Sequence, residues 1–185
     1  MLDKVNKKDI NTELKTNFQM PFSSTFLDYP DKENIAVIAF VMGCDNNCYN
    51  CHNVNFQNPF YKKNCQILKI KEFIKKIKDY AKRCLTRKVV LSGGDPLFHK
   101  NINFIKAFLE QTKNELDICI YTGKNVDYCK ENQLSGFKFL KTGKYEESLK
   151  QESKKDDHQM VFASKNQLLW DEHYNLLSSD GCYKF

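Results

Sequence analysis

The sequence predicts an α/β fold in which a parallel sheet carries helices on its outside. Three observations lead there. Short apolar runs rich in branched and aromatic residues alternate along the chain with longer segments whose apolar residues recur every three or four positions. The apolar runs stop near glycines, notably Gly43, Gly93 and Gly123, as expected of strands that hand over to loops before each helix. With 185 residues, 41% of them hydrophobic, the chain has material for one domain, residues 1–185, with a real core.

After a polar start, the run from Ile35 to Met42 reads as a fully buried strand that delivers Gly43 and a cysteine-rich segment at its carboxyl end. A helix is predicted from about Ile70 to Leu85, where Ile70, Phe73, Ile74, Ile77, Tyr80, Ala81 and Cys84 form one apolar stripe and the lysines take the other face. Lys88 to Ser92 is a second strand, ended by Gly93-Gly94-Asp95-Pro96, and Ile102, Ile105, Phe108 and Leu109 mark a second helix. Asp117 to Tyr121 makes a third strand stopping at Thr122-Gly123. A short helix from about Val126 and a fourth strand from Phe137 to Leu140 follow. Trp170 to Phe185 shows no decisive period, leaving a terminal helix and a loose end both open.

Parallel sheets gather ligands at the carboxyl ends of their strands. The cysteine segment, Gly93-Gly94-Asp95 and Thr122-Gly123 all fall there, so motifs distant in sequence converge on one place. Read alone, Gly93-Gly94 is equally a tight turn and Asp95 a cap for the next segment.

The cysteine segment is the most specific signal. Cys44, Cys48 and Cys51 stand in a C-x3-C-x2-C spacing that lets one loop hold a metal cluster. Three thiolates on a 4Fe-4S cluster leave one iron without a protein ligand, open to a small molecule. Structural zinc is the alternative; it needs four closed ligands, and the local fourth candidate, His52, is poorly placed beside Cys51 to complete a tetrahedron. The other cysteines, Cys65, Cys84, Cys119, Cys129 and Cys182, are scattered singly and read as free thiols.

Composition narrows the setting. A net charge of +6 comes from lysines spread over helices and loops, without the arginines and aromatics of a nucleic-acid module. No uninterrupted apolar stretch approaches the length needed to cross a bilayer, and the chain starts without a charged and apolar leader, so a soluble, cytoplasmic protein is expected.

These motifs resemble the radical S-adenosylmethionine superfamily, in which the same cysteine spacing is followed by a strand ending in Gly-Gly-Glu or Gly-Gly-Asp. Within it the chain is similar to the glycyl-radical-enzyme activases, above all those of anaerobic ribonucleoside-triphosphate reductase. The similarity rests on Leu27-Asp28-Tyr29-Pro30, Cys51-His52-Asn53, Leu91-Ser92-Gly93-Gly94-Asp95-Pro96-Leu97, Gly143-Lys144-Tyr145 and Ser164-Lys165-Asn166-Gln167, covering a core from about Phe26 to Gln167. Three positions depart from the pattern. Asn50 stands where many members have an aromatic, Thr142 where the activases often have Asp, and Phe162-Ala163 where they have Arg-Gly.

The resemblance implies a partial (β/α) barrel. It implies that Cys44, Cys48 and Cys51 ligate three irons while S-adenosylmethionine chelates the fourth. Gly93, Gly94 and Asp95 would receive the cofactor's ammonium group, Lys144 its carboxylate, and Asn50 and His52 would touch it through backbone atoms. Reduction would then yield a 5'-deoxyadenosyl radical that abstracts hydrogen from a glycine of the partner, the anaerobic ribonucleoside-triphosphate reductase, with a low-potential donor such as flavodoxin supplying the electron. No protein acid or base is required. The resemblance leaves room for another glycyl-radical enzyme as partner, such as pyruvate formate-lyase, or for a different small radical enzyme; a non-enzymatic iron-sulfur or zinc module is the remaining alternative. Phe56, Phe60 and Tyr61 are candidates for the partner-binding surface, with core packing the competing reading for each, and the charged stretch from Tyr145 to His158 reads as a loop or solvated helix.

Overall fold

The computed structural model describes residues 14–24, 29–32, 35–152 and 159–185. Leu27 and Asp28, the start of the expected core at Phe26, and the end of the charged stretch, 153–158, lie outside the described residues. At the centre are four parallel strands. We number the strands β1 (Lys15–Ser24), β2 (Ala36–Val41), β3 (Cys65–Lys69), β4 (Lys88–Gly93), β5 (Asp117–Tyr121), β6 (Phe139–Thr142), β7 (Gln159–Val161), β8 (Leu168–Asp171), β9 (Leu176–Ser178) and β10 (Cys182–Lys184). Eight of them form one sheet in the order β3-β1-β2-β4-β5-β6-β8-β9, and β7 and β10 form a separate ribbon. The steps β2 to β4, β4 to β5 and β5 to β6 are parallel, as expected from strand–helix alternation. Both flanks are antiparallel extensions that the alternation does not announce.

The helices are α1 (Ile70–Arg83), α2 (Ile102–Thr112) and α3 (Val126–Glu131). Their apolar stripes pack on one face of the sheet, where Val37, Ala39 and Val41, Val89 and Leu91, Ile118 and Ile120, and Leu140 meet Ile70, Phe73, Ile77, Ile105 and Phe108. Strand side chains alternate between faces. Ile38, Val90 and Cys119 therefore form a second, smaller cluster on the opposite face, with Tyr29 upon it and Phe40, Tyr121 and Phe139 packed alongside. The β7–β10 ribbon covers the far end of that face through Met160 and Phe162.

Local chemistry fixes the helix starts. The Lys69 N–H donates to the Glu72 carboxylate at 3.0 Å as α1 begins, and the Asn125 side chain accepts from the Tyr128 N–H at 2.9 Å as α3 begins. Asn125→Ala is expected to cost about 1 kcal/mol, or about 2–4 °C in thermal midpoint for a chain of this size. Thermal unfolding followed by circular dichroism checks it.

Trp170 to Phe185 is not helical: β8 pairs with β6, β9 with β8, and β10 with β7. None of the eight cysteines is in a disulfide; Cys119 and Cys129 are buried, as expected for packed thiols. No helix among the described residues is long and apolar enough to cross a membrane.

Candidate functional site

The site begins with strand alternation. Val41, Leu91, Ile120 and Leu140 face the helices. Phe40, Ser92, Tyr121 and Lys141, their neighbours at the carboxyl ends of the four parallel strands, point the other way and line a cavity of about 410 Å³. That volume is in the range of small-molecule sites, roughly 300–1,000 Å³. Cys44, Cys48 and Cys51 line the same cavity, as do Asn46, His52 and Gly94.

The cysteine loop is held by backbone hydrogen bonds. The Gly43 N–H donates to the Phe56 carbonyl at 2.7 Å and the Cys44 N–H to the Gln57 carbonyl at 3.1 Å, closing the loop on a short 3-10 turn, Val54–Gln57. On its other side the Gly94 N–H donates to Val41 at 2.9 Å and the Asp95 N–H to Gly43 at 2.8 Å, so the β2–β4 ladder continues past the sheet. Both glycines are required there. Gly93 sits at φ +114°, a left-handed conformation that side chains resist, and a Cβ on Gly94 would meet the carbonyl oxygens of Phe56 and Gly43. Asn47 and Asn50 have φ of 50° and 53°, and asparagine tolerates this region best among residues with a side chain. Asn50 thus serves the turn that aims Cys48 and Cys51.

Burial pushes the Cys44 thiol up to about 11, with only a backbone hydrogen bond from Asn46 opposing it. Burial also raises Cys48, against a hydrogen bond from the Tyr145 backbone and the Lys144 charge, which both favour the thiolate. Among the described residues, no group of three or more His, Cys, Asp or Glu side chains stands arranged to grip a single ion. The donor set nevertheless fits a cluster: three thiols of one loop face one cavity, and soft thiolates are what iron-sulfur clusters take.

Asp95 is the hub behind the cavity. It is fully buried, and its carboxylate accepts four hydrogen bonds: from Leu97 N–H at 2.8 Å, Thr122 Oγ at 2.7 Å, Asn46 Nδ2 at 2.6 Å and Gly123 N–H at 3.0 Å. Burial raises its carboxyl from the usual range while these four donors pull it down. Both oxygens are thus engaged by protein donors, and the residue ties the cysteine loop, the β4 turn and the β5 turn together. A second tie is the 2.5 Å ion pair between Lys124 and Asp45, the residue after Cys44.

The remaining motif residues divide. His52 is exposed at the cavity's edge, Asn50 and Lys144 are exposed and outside its lining, and Gly93, half-buried, is outside it too. Ser164 to Gln167 clamps the loop after β6: Gln167 Nε2 donates to the Gly143 carbonyl at 3.1 Å and Asn166 Nδ2 to Lys144 at 2.8 Å. Thr142 is buried and accepts from Trp170 Nε1 at 2.9 Å, which fastens β8 to β6. Phe162 and Ala163, the departures from Arg-Gly, line the cavity. Phe56 packs on Phe40 at 5.3 Å and on Tyr61 at 6.0 Å between ring centres, whereas Phe60 is 67% exposed. Lys141 and Asn46 escaped the sequence reading. The inward phase of the fourth strand was the signal for Lys141, and a strand placed at Phe137–Leu140 rather than Phe139–Thr142 left it out.

Residues 33–170 match the family model described as the 4Fe-4S single cluster domain. The anaerobic ribonucleoside-triphosphate reductase-activating protein of Enterobacteria phage T4 is 26% identical over 163 residues, covering 85% of this chain and 93% of that protein. QueE from Escherichia coli, known from a crystal structure, aligns over 65% of this chain with a TM-score of 0.46 and 13% identity, and this chain spans 57% of its length.

Proposed function

The chain belongs to the 4Fe-4S single cluster domain family, of the radical S-adenosylmethionine type, and on that premise we propose that it activates anaerobic ribonucleoside-triphosphate reductase by generating a glycyl radical upon it. The observation that carries this reading is one cavity, at the carboxyl edge of a parallel sheet, lined by all three motif cysteines and by Gly94. The name of the phage relative supports the choice of partner.

In this reading Cys44, Cys48 and Cys51 hold the cluster. When bound, the cluster and S-adenosylmethionine supply one-electron cleavage of a carbon–sulfur bond and, through it, hydrogen-atom abstraction. The chain's own residues position and shield. Gly94 brings bare backbone to the cavity, Gly93 makes the left-handed turn before it, and Asp95 fixes the loops around it from behind. Asn50 and His52 flank the third cysteine and contribute backbone. Lys144 lends its charge to Cys48. Phe40, Tyr121, Met160 and Phe162 give the cavity part of its walls in apolar side chains. The partner must bring a glycine-bearing loop to this opening; Tyr49, between two of the motif cysteines in sequence, and Phe60 present exposed rings that could meet it. A low-potential donor such as flavodoxin completes the system, in the cytoplasm.

The test is anaerobic reconstitution with iron and sulfide, reduction, and measurement of 5'-deoxyadenosine from S-adenosylmethionine, followed by electron paramagnetic resonance of an added reductase. Product together with a glycyl doublet on the reductase is expected. No product from a chain with a full 4Fe-4S cluster would remove the radical chemistry. Product without the doublet would remove the reductase as partner.

A further inference from the structure

The Ser164–Gln167 motif has no task in the proposed function, yet the fold uses it closely. It grips the loop that leaves β6 at three places. Gln167 Nε2 donates to the Gly143 carbonyl at 3.1 Å, Asn166 Nδ2 to the Lys144 carbonyl at 2.8 Å, and the Glu146 N–H to Ser164 Oγ at 3.3 Å. The motif is itself held firmly. The Ser164 N–H donates to Gln167 Oε1 at 3.2 Å and the Lys165 N–H to the Leu149 carbonyl at 2.9 Å, with Ser164 fully buried and Gln167 nearly so.

Tyr145 lies between the gripped residues. Its backbone N–H donates to the sulfur of Cys48, and both residues line the cavity. That N–H and the Lys144 carbonyl belong to one peptide unit. The unit is trans and planar, so its C=O and N–H point in opposite directions. Asn166 therefore holds one end of a rigid plane whose other end meets Cys48. A hydrogen bond accepted by the carbonyl also polarises the peptide and makes its N–H a stronger donor. Cys44 is served from within its own loop, by the Asn46 N–H at 3.4 Å. The Cys48 donor comes instead from the loop after β6, whose aim depends on the clamp.

We infer that Asn166 is a positioning residue for the cluster: by gripping the Lys144 carbonyl it aims the Tyr145 N–H at the Cys48 thiolate, and so raises the potential at which the cluster takes up its electron. The inference rests on reading Cys48 as a cluster ligand. Reduction adds one electron, delivered by a low-potential donor, and no protein bond forms or breaks. A hydrogen bond to a ligating sulfur stabilises the added negative charge, and such bonds are among the factors that set cluster potentials. The Lys144 charge acts in the same direction, but its side chain is exposed and salt screens it. The N–H contact inside the cavity is screened far less.

The experiment is an anaerobic redox titration of the reconstituted chain, followed by electron paramagnetic resonance of the reduced cluster, for wild type, Asn166→Ala and Lys165→Ala at low and high salt. Iron per chain and thermal midpoint are recorded for each. Asn166→Ala is expected to disfavour reduction about tenfold, a midpoint about 59 mV more negative for a one-electron couple, at both salt levels. Lys165→Ala, an exposed neighbour whose side chain makes none of these bonds, should match the wild type once salt screens its charge. An Asn166→Ala protein with a lowered thermal midpoint and an unchanged potential makes the clamp purely structural and overturns the inference. A shift that vanishes at high salt overturns it too, since it traces the effect to Lys144. Should Asn166→Ala fail to load its cluster, Ser164→Ala, which frees the Glu146 N–H on the other side of Tyr145, carries the same comparison. A wild type that takes up no 4Fe-4S cluster removes the reading of Cys48 beneath the inference, a result distinct from an unshifted potential.

Discussion

Asp95→Ala is expected to destabilise the chain by about 4 kcal/mol or more, since it leaves several buried donors without an acceptor at about 1–3 kcal/mol each before relaxation. Those donors are the Leu97 and Gly123 N–H groups, the Thr122 hydroxyl and the Asn46 amide, drawn from three different loops. At about 2–4 °C per kcal/mol for a chain of this length, the thermal midpoint of the cluster-free protein should fall by about 8–16 °C. Asp95→Asn separates the two contributions. It keeps the volume and one carbonyl acceptor, so it should lose about half as much stability. Thermal or urea unfolding of the three proteins checks the order wild type, Asn, Ala. An alanine variant as stable as the wild type would show that the hub is not what holds the loops.

The second large effect concerns Gly94. A methyl group there would press on the carbonyl oxygens of Phe56 and Gly43, neither of which can turn aside as a side chain can. Both carbonyls accept hydrogen bonds that close the cysteine loop, Phe56 from Gly43 at 2.7 Å and Gly43 from Asp95 at 2.8 Å. Gly94→Ala is therefore expected to cost about 3 kcal/mol by overpacking, or about 6–12 °C in thermal midpoint. Because the strain falls on the cysteine loop, iron bound per chain after reconstitution should drop by more than the loss of folded protein accounts for. Iron analysis on the folded fraction measures this directly.

The parallel core was legible because its strands are buried on both faces and its helices carry one apolar stripe. Lys88–Gly93, Asp117–Tyr121 and Ile102–Thr112 are the elements that pattern predicts. The flanks were not legible for the same physical reason in reverse. β1 has Pro21 in its middle and polar residues that include the buried Thr16 and Asn17, and β3, β9 and β10 are too short or too exposed to show a period. Tertiary pairing, not local pattern, makes them strands. In the site, the cysteine spacing and the glycine pair were visible as motifs, since each depends on a local backbone requirement. The four-fold engagement of Asp95 was not, because its partners Asn46, Leu97, Thr122 and Gly123 meet only in the folded chain. Lys141 was hidden for a different reason: a two-residue shift in a strand boundary decides whether a lysine at its end belongs to the strand and faces the cavity.

The placement of the β7–β10 ribbon also bears on how the protein is made. The three thiols of the cysteine loop are synthesised in the first third of the chain, yet Met160, Phe162 and Gln167, which share their cavity, come roughly a hundred residues later. At about 5–20 residues per second of translation, the thiols wait on the order of 5–20 s for that wall to exist. During this interval they are open to oxidation and to stray metals. A finished pocket for the cluster therefore depends on a segment made long after the thiols that line it.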